Sequence, residues 1–286
     1  MPLPLAMLRA NNPGPFTGHG TNTYMLGHGP KTIVDPGPDD PAHLAAIMAA
    51  LAGAPLEAIV VTHAHLDHSA LAPRLAQLTG APVLAFGDAR AGMSAQMRTL
   101  EAEGIAGTEG RDHAFAPDVC LHDGQILSLS GLKIEVIHTP GHMSNHICLA
   151  LGDTLLSGDH VMGWSTSLVS PPDGDMGAYM ASLHKLAQRR WDRFLPGHGE
   201  PVQDPAARLQ ALIAHRLGRE AAVLAALTAG PATAAQLTAL IYTDLAPALH
   251  GAAMRNVLAH LIDLSARTKV TRLGTGPLNT APFALA

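Results

Sequence analysis

The sequence predicts a layered α/β fold followed by a small, mainly helical domain. Three observations carry that reading. Short β-like runs and helical patterns are interspersed over residues 1–203, some at hairpin spacing, which does not fit strict β-α-β alternation around one parallel sheet. After Pro201 longer helical patterns take over. The charge also changes: 11 Lys+Arg against 19 Asp+Glu give −8 over residues 1–200, and 7 against 4 give +3 over residues 201–286.

The β-like runs fall at 32–34, 58–62, 83–86, 132–138, 147–151, 154–157 and 193–195. Lys133-Ile-Glu-Val-Ile137 alternates, whereas Ala58-Ile-Val-Val-Thr62 reads as a strand buried on both faces. Asp40-Pro41 is an N-cap followed by proline and opens a helix that Gly53 closes. Further helices are expected over 69–79, with Gly80 just past the end, and over 176–190. Asp204-Pro205 starts a long helix that Gly230-Pro231 stops. Helical patterns over 233–241 and 249–266, then a strand-like 269–273, are the ingredients of a winged-helix-like domain, and the tail from Gly274 reads as loop. The expected division is therefore 1–203 and 204–286.

With 47% hydrophobic and 14% charged residues, the 286-residue chain can bury a large core, and disorder is excluded. Aromatics are only 3%, so stacking platforms for single-stranded nucleic acid are scarce. Cys120 and Cys148 cannot build a disulfide framework, which fits a reducing, cytoplasmic compartment. The most apolar stretch, 44–61, is broken by Gly53, Pro55 and Glu57, so no membrane span is expected. The start carries two early prolines and no basic segment, unlike a signal peptide. The 17 histidines remain to be explained.

Their explanation starts at Thr62-His63-Ala64-His65-Leu66-Asp67-His68, directly after the buried strand. Four potential metal ligands lie within six residues where the chain must turn. One such histidine would more often be a hydrogen-bonded structural residue. Three with an aspartate at a core edge are costly unless a cation compensates them. One loop cannot complete the shells of two metals, and further candidates follow other strand ends: His142 in Thr139-Pro-Gly-His142, Asp159 in Ser157-Gly-Asp159 and His198 in Pro196-Gly-His198.

This ordered set resembles the metallo-β-lactamase fold superfamily over roughly residues 15–200. The resemblance implies an αβ/βα four-layer sandwich with two Zn²⁺ ions at one edge; Fe or Mn would suit the same donors. It assigns His63, His65 and His142 to one metal, Asp67, His68 and His198 to the other, and Asp159 to both. Asp35, in Val34-Asp-Pro-Gly37, would brace the ligand loops. The implied chemistry is hydrolysis by a metal-bound hydroxide, positioned by Asp67 and Asp159. The bridging carboxylate disfavours β-lactam hydrolysis and leaves phosphodiesters, thioesters and lactones.

Asn12-Pro-Gly-Pro-Phe16, Gly20-Thr-Asn-Thr-Tyr24, His215-Arg216 and Arg219-Glu220 further resemble the lactamase-B-like-2 group, which includes single-strand-specific endoribonucleases. His160 departs from it, standing where the eukaryotic members would have Cys. That resemblance places single-stranded RNA slightly ahead of a small ester, thioester or lactone, although the −8 of the first 200 residues opposes a polyanion. The non-enzyme alternative is a nucleic-acid or partner-binding protein with structural metals; an oligomer is compatible with either. Asn22, Arg216 and Arg219 are candidate substrate contacts. Asn22 and Thr23 read as turn residues ahead of substrate contacts, and the arginines equally as surface partners of Glu220 or other acids. His146 and His160 are expected to hydrogen-bond ligands or backbone. Met93 and Met97 are read as packing or lid residues. Trp164, Trp191 and Tyr179 fit core or cleft. His43, His113, His184 and His260 fall to surface or core.

Overall fold

A computed structural model describes residues 3–105, 107 and 110–286. The first sheet runs in the order β1 (Leu5–Arg9), β2 (Asn22–Leu26), β3 (Lys31–Val34), β4 (Leu56–Val60), β5 (Val83–Ala85), β6 (Val119–Cys120). The second comprises β7 (Ile126–Leu129), β8 (Leu132–His138), β9 (Ile147–Leu151), β10 (Thr154–Gly158) and β11 (Arg193–Pro196), with β10 and β11 parallel.

Alternation along these strands builds the layers. In the first sheet Ile33, Ile59 and Val83 face Leu44, Ile47 and Leu51 of α1 (Pro41–Leu51) and Leu75 of α3 (Ala72–Thr79). Their neighbours Val34, Ala58, Val60 and Leu84 face the second sheet, meeting Ile134, Val136, Leu149 and Leu156. On that sheet's far side Cys148, Ala150, Leu155 and Phe194 pack against Tyr179, Leu183 and Leu186 of α5 (Met176–Ala187) and Leu209 and Leu212 of α6 (Pro205–Leu227). The order is helix, sheet, sheet, helix.

Proline decides where the expected 69–79 helix begins. The structure has a single turn, α2 (Leu66–Ser69), and then α3, with Pro73 in its first turn where a missing N–H costs nothing. Gly80 ends it in the left-handed conformation, φ 73°. Asn22 and Thr23 are fully buried members of β2 rather than turn residues.

Helix α6 is shared. Its first half covers the second sheet, while Val223 and Leu227 enter a separate core with α7 (Ala234–Ile241) and α8 (His250–Ala266). Met93, together with Met97 and Leu100 of α4 (Ala95–Ala102), packs into that same core. The tail is not loop throughout. β14 (Pro282–Leu285) is the central strand between β12 (Ala232–Thr233) and β13 (Val270–Arg272), with Phe283 only 1% exposed. Four residues with one large inward side chain are too short a pattern to announce a strand. Among the described residues, no helix is long and apolar enough to cross a membrane.

Phe283→Ala should destabilise this C-terminal core by about 3 kcal/mol or more. Denaturation followed by far-ultraviolet circular dichroism reads the loss, and an unchanged midpoint would contradict β14's central place.

Candidate metal centre

The seven predicted ligands converge where four strands end. His63 to His68 follow β4 and run into α2, His142 follows β8, Asp159 follows β10 and His198 follows β11. The Ile147 N–H donates to the Thr62 carbonyl at 2.8 Å and so joins the two sheets beside the cluster.

The donor atoms fall into overlapping groups: His63, His65 and His142; Asp67, His68 and His198; and His63, His68 and Asp159, each set within 4.8 Å. His65 Nδ1 lies 3.1 Å from His63 Nε2 and 3.0 Å from His142 Nε2. His68 Nε2 and His198 Nε2 are 3.2 Å apart. Tetrahedral nitrogen ligands at about 2.0 Å from one ion would stand about 3.3 Å from each other. Asp159 Oδ2 is 3.3 Å from His198 Nε2 and 3.8 Å from His142 Nε2, which puts this carboxylate between the groups. Its Oδ1 is buried and accepts no hydrogen bond from the described residues. His68 Nε2 stands 3.5 Å away as an ion pair, and a buried carboxylate oxygen without a hydrogen bond fits a cation.

The outward-facing ring nitrogens are held. Asp35 adopts φ 52°, a left-handed conformation that Asp tolerates, and its carboxylate receives the Thr62 N–H at 2.7 Å and the Thr62 hydroxyl at 2.8 Å. It also faces His68 Nδ1 at 3.0 Å, while the Thr62 oxygen stands 3.0 Å from His63 Nδ1. One carboxylate thus orients an imidazole in each group. His142 Nδ1 faces the Leu168 carbonyl at 2.7 Å and His198 Nδ1 that of Gly20 at 3.2 Å. Gly197 has no alternative: a Cβ there would sit 2.4 Å from Asp159 Oδ1.

Electrostatically the groups differ. Burial and then the neighbouring His142 push His65 down to about 3, and burial with His68 and His65 holds His63 well below its ordinary value. Burial also opposes charge on His68 and His198, but here the carboxylates win. Asp67, Asp159 and Asp35 hold His68 well above its ordinary value, and Asp159 with Asp67 lifts His198 to about 9. Asp67 and Asp159 lie below the usual carboxylate range, because His68 and His198 outweigh the burial that would raise them.

The other candidates lie elsewhere. Asn22 is buried and its carboxamide donates to the carbonyls of Pro196 and Gly199 at 3.0 and 2.8 Å, clamping the His198 loop. Arg216 is a correction to the expected surface pairing. It is 1% exposed, donates to the Ser167 carbonyl and Asn256, and lies over the Tyr179 ring, whereas Glu220 pairs with Arg267. Arg219 stacks on Tyr242. His146 receives the Asp159 N–H at 3.1 Å, as expected. His160 does not follow its expectation: both its ring nitrogens are buried without a hydrogen-bond partner among the described residues, and the ring packs beside Tyr179. Trp191 and Tyr179 are core, while Trp164 is 46% exposed and lies against Gly18 and Gly199.

Sequence reasoning missed Arg111 and Asp173. Buried Arg111 forms an antiparallel bridge with His65 through the backbone and ion pairs with Asp173 at 2.8 Å and Glu101 of α4 at 2.9 Å. Asp173 lies in the segment that returns to His142's turn, where the Asp175 N–H donates to the Gly141 carbonyl. No local pattern could have revealed a pair 62 residues apart.

Comparison with known proteins agrees with this geometry. Residues 16–198 match the Metallo-beta-lactamase superfamily, and residues 233–276 the Beta-lactamase associated winged helix domain. The chain belongs to the metallo-beta-lactamase superfamily. It is 30% identical over 278 residues to the Beta-lactamase-like protein 2 homolog of Drosophila melanogaster, covering 91% of this chain and 87% of that protein. It is 30% identical over 245 residues to an atrochrysone carboxyl ACP thioesterase of Paecilomyces divaricatus, covering 84% and 69%. A metallo-beta-lactamase family protein from Thermus thermophilus superposes with a TM-score of 0.79 at 26% identity, covering 99% of both chains. The sandwich with its winged-helix domain is therefore the superfamily's fold, and the His/Asp cluster is that of a superfamily generally made of hydrolases.

Two outcomes follow. Asp35→Asn places an N–H₂ where either His68 or Thr62 now donates, and should weaken metal affinity roughly 10–100-fold in chelator competition; unchanged affinity would remove Asp35's orienting role. Metal uptake at pH 7 should release protons, since the neighbouring carboxylates lift His198 to about 9 and hold His68 well above its ordinary value. His198's share of the release falls to zero as pH rises through about 9. Calorimetry in buffers of different ionisation enthalpy measures it, and uptake without release would contradict the charge state.

Proposed function

We propose that the protein hydrolyses a small acyl thioester or ester with two divalent cations, Zn²⁺ being the expected pair and Fe or Mn fitting the same donors. His63, His65 and His142 would hold one, Asp67, His68 and His198 the other, with Asp159 shared. Such ions supply Lewis acidity toward the carbonyl and lower the pKa of water. Asp67 is the most open of the cluster's carboxylates, its side chain 28% exposed against 9% for Asp159, and it orients the attacking water by accepting its hydrogen bond. A thiolate, with a thiol pKa of about 8.5, leaves without a dedicated acid.

The lip of the cluster carries the substrate choice. Leu66, next to Asp67, is 43% exposed, Trp164 stands exposed against Gly18 and Gly199, and Phe16 is exposed within the turn closed by Gly14 and Gly18. The cations behind the cluster face inward: Arg111 on its acids, Arg208 on the carbonyls of Met162 and Ser165, Arg216 on that of Ser167. An apolar lip in a region of −8 suits an acyl group better than a polyanion. The thioesterase named among the relatives supports the same reading. The winged-helix match and the +3 of residues 201–286 favour a second reading, cleavage of single-stranded RNA. The division at 203/204 belongs to the proposal, with α6 serving both sides.

The test is a thioester, ester and lactone panel beside a labelled single-stranded RNA, each with a chelated control. Chelator-sensitive turnover of a thioester or ester is expected. Asp67→Ala and His198→Ala should each lose roughly a hundredfold or more, beyond the 10–100-fold typical of groups that only orient ligands. RNA cleavage that is lost in His63→Ala, without ester turnover, would transfer the function to the second reading.

A further inference from the structure

Helix α1 buries four side chains, His43, Leu44, Ile47 and Leu51. The three aliphatic ones belong to the core on that side of the first sheet. His43 is the odd one out. It is 3% exposed and burial lowers its pKa, so at pH 7 the ring is neutral and carries one N–H. A neighbour decides which nitrogen holds the hydrogen. Thr23 Oγ1 in β2 donates to the Asp35 carbonyl at 2.7 Å, which uses the hydroxyl's only hydrogen. The same oxygen lies 2.8 Å from His43 Nε2, so the imidazole must be the donor there. Donation therefore runs from His43 Nε2–H to the Thr23 hydroxyl, and from that hydroxyl to the Asp35 carbonyl.

Asp35 is the residue that needs this support. Its φ of 52° is a left-handed value that a non-glycine residue keeps only when its surroundings hold it. Both of its backbone polar groups are tied: the N–H donates to the Val60 carbonyl at 2.9 Å, and the carbonyl receives Thr23. With the backbone fixed on both sides, the carboxylate is aimed at the Thr62 hydroxyl at 2.8 Å and His68 Nδ1 at 3.0 Å. The His43 ring also packs against the end of the same turn. A Cβ on Gly37 would stand 3.0 Å from its Cδ2 and 3.1 Å from its Nε2. Gly37 in turn donates its N–H to the His68 carbonyl at 3.1 Å, so the ring backs the peptide that holds this ligand's main chain.

We propose that His43 is a positioning residue for the candidate metal centre, acting through the Thr23 hydroxyl to hold Asp35 in the conformation that aims its carboxylate at His68 and Thr62. The role rests on the cluster holding cations, as proposed above. His43 acts through Asp35 and is not a ligand itself. A leucine would fill the same place in the core, but it would leave the Thr23 oxygen without its donor.

The experiment uses the full chain with Zn²⁺ as the probe. Chelator competition reads its affinity, and thermal unfolding reads the stability of the metal-free chain. His43→Leu and Thr23→Val should each weaken Zn²⁺ binding about tenfold, the lower end of what outer hydrogen-bond partners of ligands contribute. His43→Gln, whose carboxamide N–H takes the place of Nε2–H, and Thr23→Ser should restore most of the loss. In an Asp35→Asn background His43→Leu should cost little further affinity, because both changes act on the same carboxylate, while its effect on the thermal midpoint persists. Losses of affinity that simply multiply would reduce His43 to a packing residue and overturn the role. Nitrogen NMR of the wild-type histidine rings needs no variant to fold. At pH 7 His43 should carry its hydrogen on Nε2, and a ring protonated only at Nδ1 would break the chain of donors and overturn the role. A wild-type chain that binds no Zn²⁺ would overturn the metal reading and this role together. Zn²⁺ binding that His43→Leu and Thr23→Val leave unchanged would overturn the role alone.

Discussion

Five imidazoles and two carboxylates meet at the buried edge between two sheets, and the rest of the molecule is arranged around that crowding. Removing such groups from water is costly unless each finds a partner. Asp35 supplies the central one, reaching Thr62 and His68 directly and His63 through the Thr62 hydroxyl. It does so from a left-handed backbone position, at the point where β3 stops and the chain must turn. What the carboxylate does not satisfy is left aimed inward, as the Asp159 oxygen that accepts no hydrogen bond from the described residues shows. A cluster braced from outside and unsatisfied within has the make-up of a candidate metal site.

The bracing extends beyond the sandwich. Glu101 belongs to a helix whose Met97 and Leu100 pack into the C-terminal core, and the same carboxylate pairs with Arg111 beside His65. The sandwich and the C-terminal core are thus joined through the Glu101–Arg111–Asp173 ion pairs. Breaking such a pair by removing one partner leaves a buried charge uncompensated, which is why the network holds its geometry. On the opposite side Asn22 and the Tyr24 hydroxyl both bind the Pro196 carbonyl, so the first hairpin fixes the last ligand turn.

Much of this was legible in the sequence because the chemistry is local. The His63–His68 run lies in one turn, and each later ligand follows an apolar strand within a Gly-containing motif. The four layers were foreshadowed by strands such as 58–62, whose successive residues do face two different cores. What escaped was long-range. Arg111 meets Asp173 across 62 residues, and Asn22 meets Pro196 across 174. Arg216 looked like a surface charge because helical spacing does not say which face is buried, and its partners are a carbonyl and an asparagine rather than an acid. The short β14 escaped because four residues carry too little pattern.

Counting metal ions tests the account most directly. Protein loaded with Zn²⁺, desalted and measured by inductively coupled plasma mass spectrometry should hold two ions per chain, and His142→Ala, which removes one donor of the first group only, should hold one. A wild-type chain that retains no ion, or a single ion unaffected by His142→Ala, would contradict the two-cation reading of the cluster.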